Sequence, residues 1–397
     1  MIKKILFILI TISFFISCRN IPYKETGEYQ ESKIEAKTDE KPETQTDKKH
    51  DDISIVKPEV RTLTLIAAGD NLFHDTIFKT NNKNGIYDFS GIYSEIEELI
   101  QSADLAFINQ ETVMAGAQYG YSGYPAFNTP QALARTLFDT GFSIINQANN
   151  HSLDMGENGL LTTLDLWDTI EGITVLGARR SGDSYRIITK NNIRLGFLSY
   201  TYGLNGNTLS AKNRNIISLI NRKSMEEEIG VLRPICDFLI VSMHWGEEYK
   251  GNPGKEQIEL AQLLASLNVD LIIGHHPHVL QRFDTLPRPD GKQTLCFYSL
   301  GNFVSNQSEK ERILGALMQV TFIKEGSTLS INEPQLIPVI CHFEEGFTGT
   351  KVYPYYAYND ELLKKHWIRR RDNNCTFDFF NSVLNTLGVK LVLKKPL

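Results

Sequence analysis

One pattern, met five times, limits the fold of this chain more than any other feature. A short apolar run ends, and a cluster rich in histidine, carboxylate or asparagine follows at once. Run 63–68 leads into GDNLFHD, run 105–108 into Asn109-Gln110-Glu111, and run 142–145 into ANNHSLDMG at 148–156. Run 238–242 leads to His244-Trp245-Gly246, and run 271–273 to GHHPH. Several of these clusters precede stretches with helical spacing, at 92–99, at Leu160, Leu161, Leu164 and Leu166, and at 258–267. Repeated strand, polar turn and helix specify an α/β or α+β layered domain. Such folds place their ligands at strand C-terminal ends, so the five clusters are expected to converge on one rim.

Further strands are expected at 173–176 and 295–298, with a helix at 225–232. A hairpin is expected over 185–188 and 193–200 around Asn191-Asn192, and a late one over 317–323 and 329–340 around Gly326. A helix at 131–139 has Gly141 as its cap. Past Cys341 the pattern changes to a Tyr-rich loop and a basic stretch (Lys364, Lys365, Arg369, Arg370, Arg371), which reads as a small helical extension with a solvated face. The expected division is a signal segment at 1–17, a disordered tether at 18–60, the layered domain at 61–340 and the extension at 341–397.

The N-terminus sets the expected address. Lys3 and Lys4 precede an uncharged apolar run at 5–16 and then Ser17-Cys18, the plan of a secretory signal. Residues 19–57 are rich in Lys, Glu, Thr and Gln with few large apolar side chains, a disordered composition. The net charge of −6 and the lack of a long basic block argue against nucleic acid as a partner. Cys236, Cys296, Cys341 and Cys375 match no zinc spacing; a Cys341–Cys375 disulfide is open on sequence grounds.

Together the clusters offer Asp70, His74, Glu111, Asn150, His151, His244, His276 and His278. Carboxylate oxygens with imidazole nitrogens suit divalent manganese, zinc or iron. The donors are too many for one tetrahedral site and fit two ions sharing a carboxylate. His74 is open between a ligand and a surface histidine near a helix start. Asp154 either orients His151 or caps the following helix. No glycine-rich phosphate loop and no Ser–His–Asp motif is present.

Six motifs in order, Gly69-Asp70, Asn109-x-Glu111, ANNHSLDMG, His244-Trp245-Gly246, GHHPHV and YSLGNFV, resemble the CapA family of bacterial capsule-synthesis proteins linked to poly-γ-glutamate. That family lies within the calcineurin-like metallophosphoesterase superfamily. The resemblance implies a four-layer αββα sandwich with metals at the sheet edge. It implies that Asp70 holds one ion, Glu111 bridges, Asn150 and His244 hold the second, and His276 and His278 are paired ligands. His151 would be a non-ligand acid, with Asp154 behind it. Two departures stand out: Leu72 occupies the histidine position of the superfamily's Asp-x-His, so either His74 reaches in its place or that coordination position is empty, and Glu replaces a bridging Asp. Asn109, Tyr200, Asn205, Trp245 and Asn302 are expected to line the substrate site. Ser17-Cys18 resembles a lipobox, which implies lipidation of Cys18 and a lipid anchor on the extracytoplasmic face of a cell or outer membrane.

The expected function is hydrolysis of an ester in an envelope polymer, with the metals activating water and His151 protonating the leaving group. Two alternatives are a non-catalytic accessory that binds poly-γ-glutamate or another anionic polymer for a membrane synthase or export complex, and a hydrolase of γ-glutamyl amide bonds.

Overall fold

The structure is a computed structural model and describes residues 59–395. The signal segment, Cys18 and the tether up to residue 58 lie outside the described residues. No helix among the described residues is long and apolar enough to cross a membrane.

Two sheets form the centre. The first has ten strands and runs, in order, Lys351–Pro354, Gln335–His342, Leu314–Glu325, Val60–Asn71, Leu105–Gln110, Ile144–Asn146 and Thr174–Leu176, with the other three pairing off this path. The last four strands of that order are mutually parallel. The second has six strands, Phe283–Pro287, Gln293–Phe297, Leu271–His275, Phe238–His244, Ile193–Thr201 and Arg186–Lys190.

Side-chain alternation along these strands builds the layers. Leu63, Leu65, Ala67 and Phe107 of the first sheet pack with Leu195, Phe197, Ile240 and Ile273 of the second. The intervening Ile66, Ala68, Ala106 and Ile108 face outward onto Leu133, Leu137 and Trp167 of helices Ala132–Thr140 and Gly156–Asp168. Leu198, Tyr200, Leu239 and Val241 face the other way, onto Met225, Ile229, Leu260 and Leu264 of helices Arg222–Leu232 and Lys255–Ser266. The result is helix, sheet, sheet, helix, because each central strand is apolar on both faces.

The Asn191-Asn192 turn has φ of 52° and 58°, the left-handed pair of a type I′ hairpin. The expected late return strand is two strands, Thr328–Ile331 and Gln335–His342; the gap contains Pro334, which has no N–H to donate. The chain past 340 packs with the same two sheets. Strands Lys351–Pro354 and Lys390–Leu391 add to the first sheet. Tyr355, Tyr358, Leu363, Phe380 and Leu384 join the core between the sheets. Residues past 341 therefore complete the same core. Cys341 and Cys375 are both buried and free, so the disulfide left open by the sequence does not form.

Two features carry stability predictions. At Gly274 an added Cβ would lie 2.0 Å from the backbone oxygen of Tyr298. Backbone cannot yield as a side-chain tip can, so Gly274→Ala is expected to destabilise by about 3 kcal/mol or more, read as a lowered urea midpoint. The second concerns His342 and His366. Burial pulls their imidazoles down to about 4 and about 3. Nδ1 of His366 accepts the N–H of Ile368 at 3.1 Å and caps helix Trp367–Arg371, so a proton there would face a donor. Unfolding frees both histidines to protonate. Stability is therefore complete above the unfolded value near 6.5 and is lost as pH falls toward 4 and 3. At pH 5 the pair has cost about 4 kcal/mol of stability relative to pH 7, at roughly 1.4 kcal/mol per pH unit each. His366→Asn keeps a capping oxygen and removes one titration; it is expected to recover about half of the stability lost between pH 7 and pH 5.

Candidate metal centre

Register aligns the strand ends. In the first sheet Asp70 pairs with Asn302 on one side and Asn109 on the other, and Asn109 pairs with Asn146. In the second sheet His244 pairs with Thr201 and with His275. These two rows end the parallel strands at the same rim, where loops carrying Glu111, Asn150, His151, His276 and His278 depart.

Three trios of donors form there. Asp70, Glu111 and His278 make one; Glu111, His244 and His276 a second; Glu248, His276 and His278 a third, with the donor atoms of each trio within 4.8 Å of one another. Glu111 Oε1 is 3.7 Å from His244 Nε2 and 3.6 Å from His278 Nε2. Asn150 Oδ1 lies 2.8 Å from His244 Nε2 and so joins the second trio.

A relay of amides holds Asp70. Ser199 donates to Asn146 Oδ1, Asn146 to Asn109 Oδ1 at 2.8 Å, and Asn109 to Asp70 Oδ1 at 2.8 Å. The His276 N–H donates to Asp70 Oδ2 at 3.2 Å. His276 and His278 have φ of 97° and 59°, a left-handed strain held at functional sites by surrounding bonds. Asn302 Oδ1 sits 3.0 Å from His278 Nδ1, which fixes the ring with Nε2 toward Glu111.

Burial and neighbouring charge set the electrostatics of the site. Burial pushes the Glu111 carboxyl well above its usual value. Both of its oxygens, and Nδ1 of His276, are buried with no hydrogen-bond partner. Burial favours a higher value for Asp70 too, but contacts with His275 and His278 hold it well below the carboxylate range. Burial pulls His278 down; the Glu111 and Asp70 carboxylates outweigh it and raise the ring to about 9. Burial takes His244 well below its usual value and His276 to about 4. Buried polar atoms without partners are rare in folded proteins. Convergent carboxylate, amide and imidazole donors around such orphans fit one or two divalent cations.

His151 stands beside the trios. Its Nδ1 is 2.7 Å from Asp154 Oδ2, and Asp154 is anchored by the Phe127 N–H at 2.7 Å. The carboxylate places the proton on Nδ1 and leaves Nε2 as the free atom. Asn205 lies 3.2 Å from His151 Nδ1 and accepts from Asn150 Nδ2 at 3.1 Å. Phe127 packs its ring edge-on against both His151 and His74.

Five of the expected residues stand outside the trios. His74 belongs to none of the trios: its Nδ1 faces the Leu72 carbonyl at 3.1 Å, and burial takes the ring to about 4. Tyr200 points into the outer helical layer and donates to Glu228. Trp245 packs in the same layer with Nε1 bonded to the Tyr298 carbonyl at 3.0 Å. Asn109 and Asn302 are fully buried and position Asp70 and His278 rather than facing a substrate. His275 is outside the trios and stacks on Phe107. Sequence reasoning missed Glu248 and Tyr202. Tyr202 lies 4.6 Å from the His276 ring, and Tyr249 lies 6.0 Å from His278, both partly exposed.

Comparison with known proteins follows the same span of chain. The family described as Bacterial capsule synthesis protein PGA_cap matches residues 64–307. A capsule biosynthesis protein CapA of Bacillus anthracis is 30% identical over 201 residues, covering 49% of this chain and 48% of the relative. The chain thus matches about half the length of that relative. The PGA biosynthesis protein CapA of Bacillus subtilis is 27% identical over 282 residues, 68% of this chain and 72% of its own. Among solved structures, the Haemophilus influenzae NAD nucleotidase is similar at a TM-score of 0.45 and 14% identity, covering 85% of this chain and 65% of that one.

Proposed function

Because the chain belongs to the bacterial capsule synthesis protein family, we propose that it serves the biosynthesis of an envelope polymer of the poly-γ-glutamate type as a metal-dependent, phosphoesterase-like hydrolase. The observation that carries this reading is the fully buried, unpartnered Glu111 carboxylate between His244 and His278. Manganese, zinc or iron bound there would lower the pKa of water and offset charge on a developing oxyanion.

The chain's own residues supply the rest. Asp70, Glu111 and His278 would hold one ion, and Glu111, Asn150, His244 and His276 the other. Asp154 orients His151 and stabilises its protonated form, so that Nε2 can deliver a proton to a leaving oxygen. Asn205 accepts from Asn150 Nδ2 and lies beside His151, next to the second donor set. Tyr202 and Tyr249 form an aromatic margin where a polymer chain can lie. Lipidation at Cys18, a tether to about residue 60 and an extracytoplasmic membrane address complete the proposal, with a synthase or export complex as partner.

The test is turnover of p-nitrophenyl phosphate, bis(p-nitrophenyl) phosphate and γ-glutamyl-p-nitroanilide by the purified chain with manganese. Phosphoester cleavage supports the reading. Cleavage of the anilide alone would transfer it to amide hydrolysis. Bound metal with neither activity would leave a polymer-binding accessory.

A further inference from the structure

We propose that Glu248 is a ligand of the metal centre, the donor that completes the coordination of the ion facing Asp70, Glu111 and His278. The proposal rests on the two-ion reading above. It starts from a count of donors. The second ion meets four protein donors: Glu111, Asn150, His244 and His276. The first meets three, and the two neighbours that could have supplied a fourth do not. Leu72 is apolar and buried, and His74 turns its Nδ1 to the Leu72 carbonyl.

Glu248 meets one histidine of each donor set. A carboxylate oxygen of Glu248 and one ring nitrogen each of His276 and His278 lie within 4.8 Å of one another. This trio leaves out Glu111, so Glu248 meets the two histidines independently of the central carboxylate. His278 belongs to the first donor set and His276 to the second. The loop that carries Glu248 is built for the reach. Gly246 has a φ of 86° and Tyr249 a φ of 67°, and the Tyr249 N–H donates to the Pro277 carbonyl at 2.7 Å. That bond ties the loop to the His276-Pro277-His278 turn. Glu248 is only partly buried, so it closes the solvent side of a centre whose other donors are fully or almost fully buried.

The addition also makes the two positions chemically unequal. The first becomes three carboxylates and one imidazole, and the second two oxygen donors and two imidazoles. Oxygen-rich sets suit harder ions such as manganese, whereas imidazole suits zinc or iron. The first position is therefore the manganese-preferring one.

The test is manganese binding by the full chain, by calorimetry and by metal analysis after dialysis, for wild type, Glu248→Gln and Glu248→Asp. Loss of an outer hydrogen-bond partner already weakens metal sites by about 10–100-fold, so loss of a ligand is expected to weaken one of the two ions by about 100-fold or more. The other ion should hold its affinity, and Glu248→Asp should lie between. The unfolding midpoints of the metal-free variants should match wild type, because the side chain is at the mouth of the site. Two ions bound with unchanged affinity in Glu248→Gln would overturn the proposal and leave the metal centre standing. No manganese bound by wild type would overturn both. A Glu248→Gln protein with wild-type zinc binding and weakened manganese binding would support it, since only the oxygen-rich position is altered.

Discussion

Glu111→Gln is expected to abolish the metal-dependent stabilisation of the chain without weakening the metal-free fold. In wild type both Glu111 oxygens are buried and unpartnered, and burial raises the carboxyl well above its usual value. The sign follows from linkage. An acid whose folded value is raised favours the fold below its unfolded value, near 4.5, and loses that contribution as pH climbs toward the folded value. At pH 7.5 the ionisable Glu111 therefore burdens the metal-free protein, and Gln removes the acid at nearly constant volume. With metal the balance reverses. A ligand at a hundred times its dissociation constant stabilises by about 2.7 kcal/mol, roughly 5 °C in a domain of this size. Wild type is expected to show that rise with manganese and Glu111→Gln none. Metal-free Glu111→Gln is expected to melt no lower than metal-free wild type. A variant that melts well below it would mean that Glu111 is a structural partner of His278, not a waiting ligand.

His151→Ala is expected to lower phosphoester turnover by roughly 10²–10⁴-fold, the usual worth of a positioned general acid, while manganese stoichiometry stays at two. The prediction separates chemistry from binding because His151 touches Asp154 and Asn205 but none of the donor trios. Asp154→Asn should follow in the same direction with a smaller loss, since the ring stays in place but its protonated form loses a carboxylate partner. Equal turnover in His151→Ala and wild type would remove the acid from the mechanism.

The donors were legible because each follows directly on an apolar run. Asp70, Glu111, Asn150, His244, His276 and His278 lie within a few residues of a strand end, and parallel strands bring such ends together. The layered core was legible for the same reason: residues 63–68, 105–108 and 238–242 are apolar on both faces. Errors arose where direction mattered more than position. Tyr200 shares its parity with Leu198, and both face the helices; the alternation already contained that answer. Trp245 and His74 lie past the last strand residue, where no period applies. Glu248 is placed by two left-handed residues, Gly246 and Tyr249, and spacing alone does not encode such a turn. The strands after residue 341 have four and two residues, too few for a pattern to register.

One pocket assembled from both sheets holds all of the candidate donors. Crystals of the chain grown with manganese and measured above the manganese absorption edge test it most directly. The predicted result is a pair of anomalous peaks roughly 3.5–4 Å apart, both in contact with Glu111, one beside Asp70 and His278 and the other beside Asn150, His244 and His276. Peaks confined to the protein surface, or none within reach of an ordered Glu111, would contradict it.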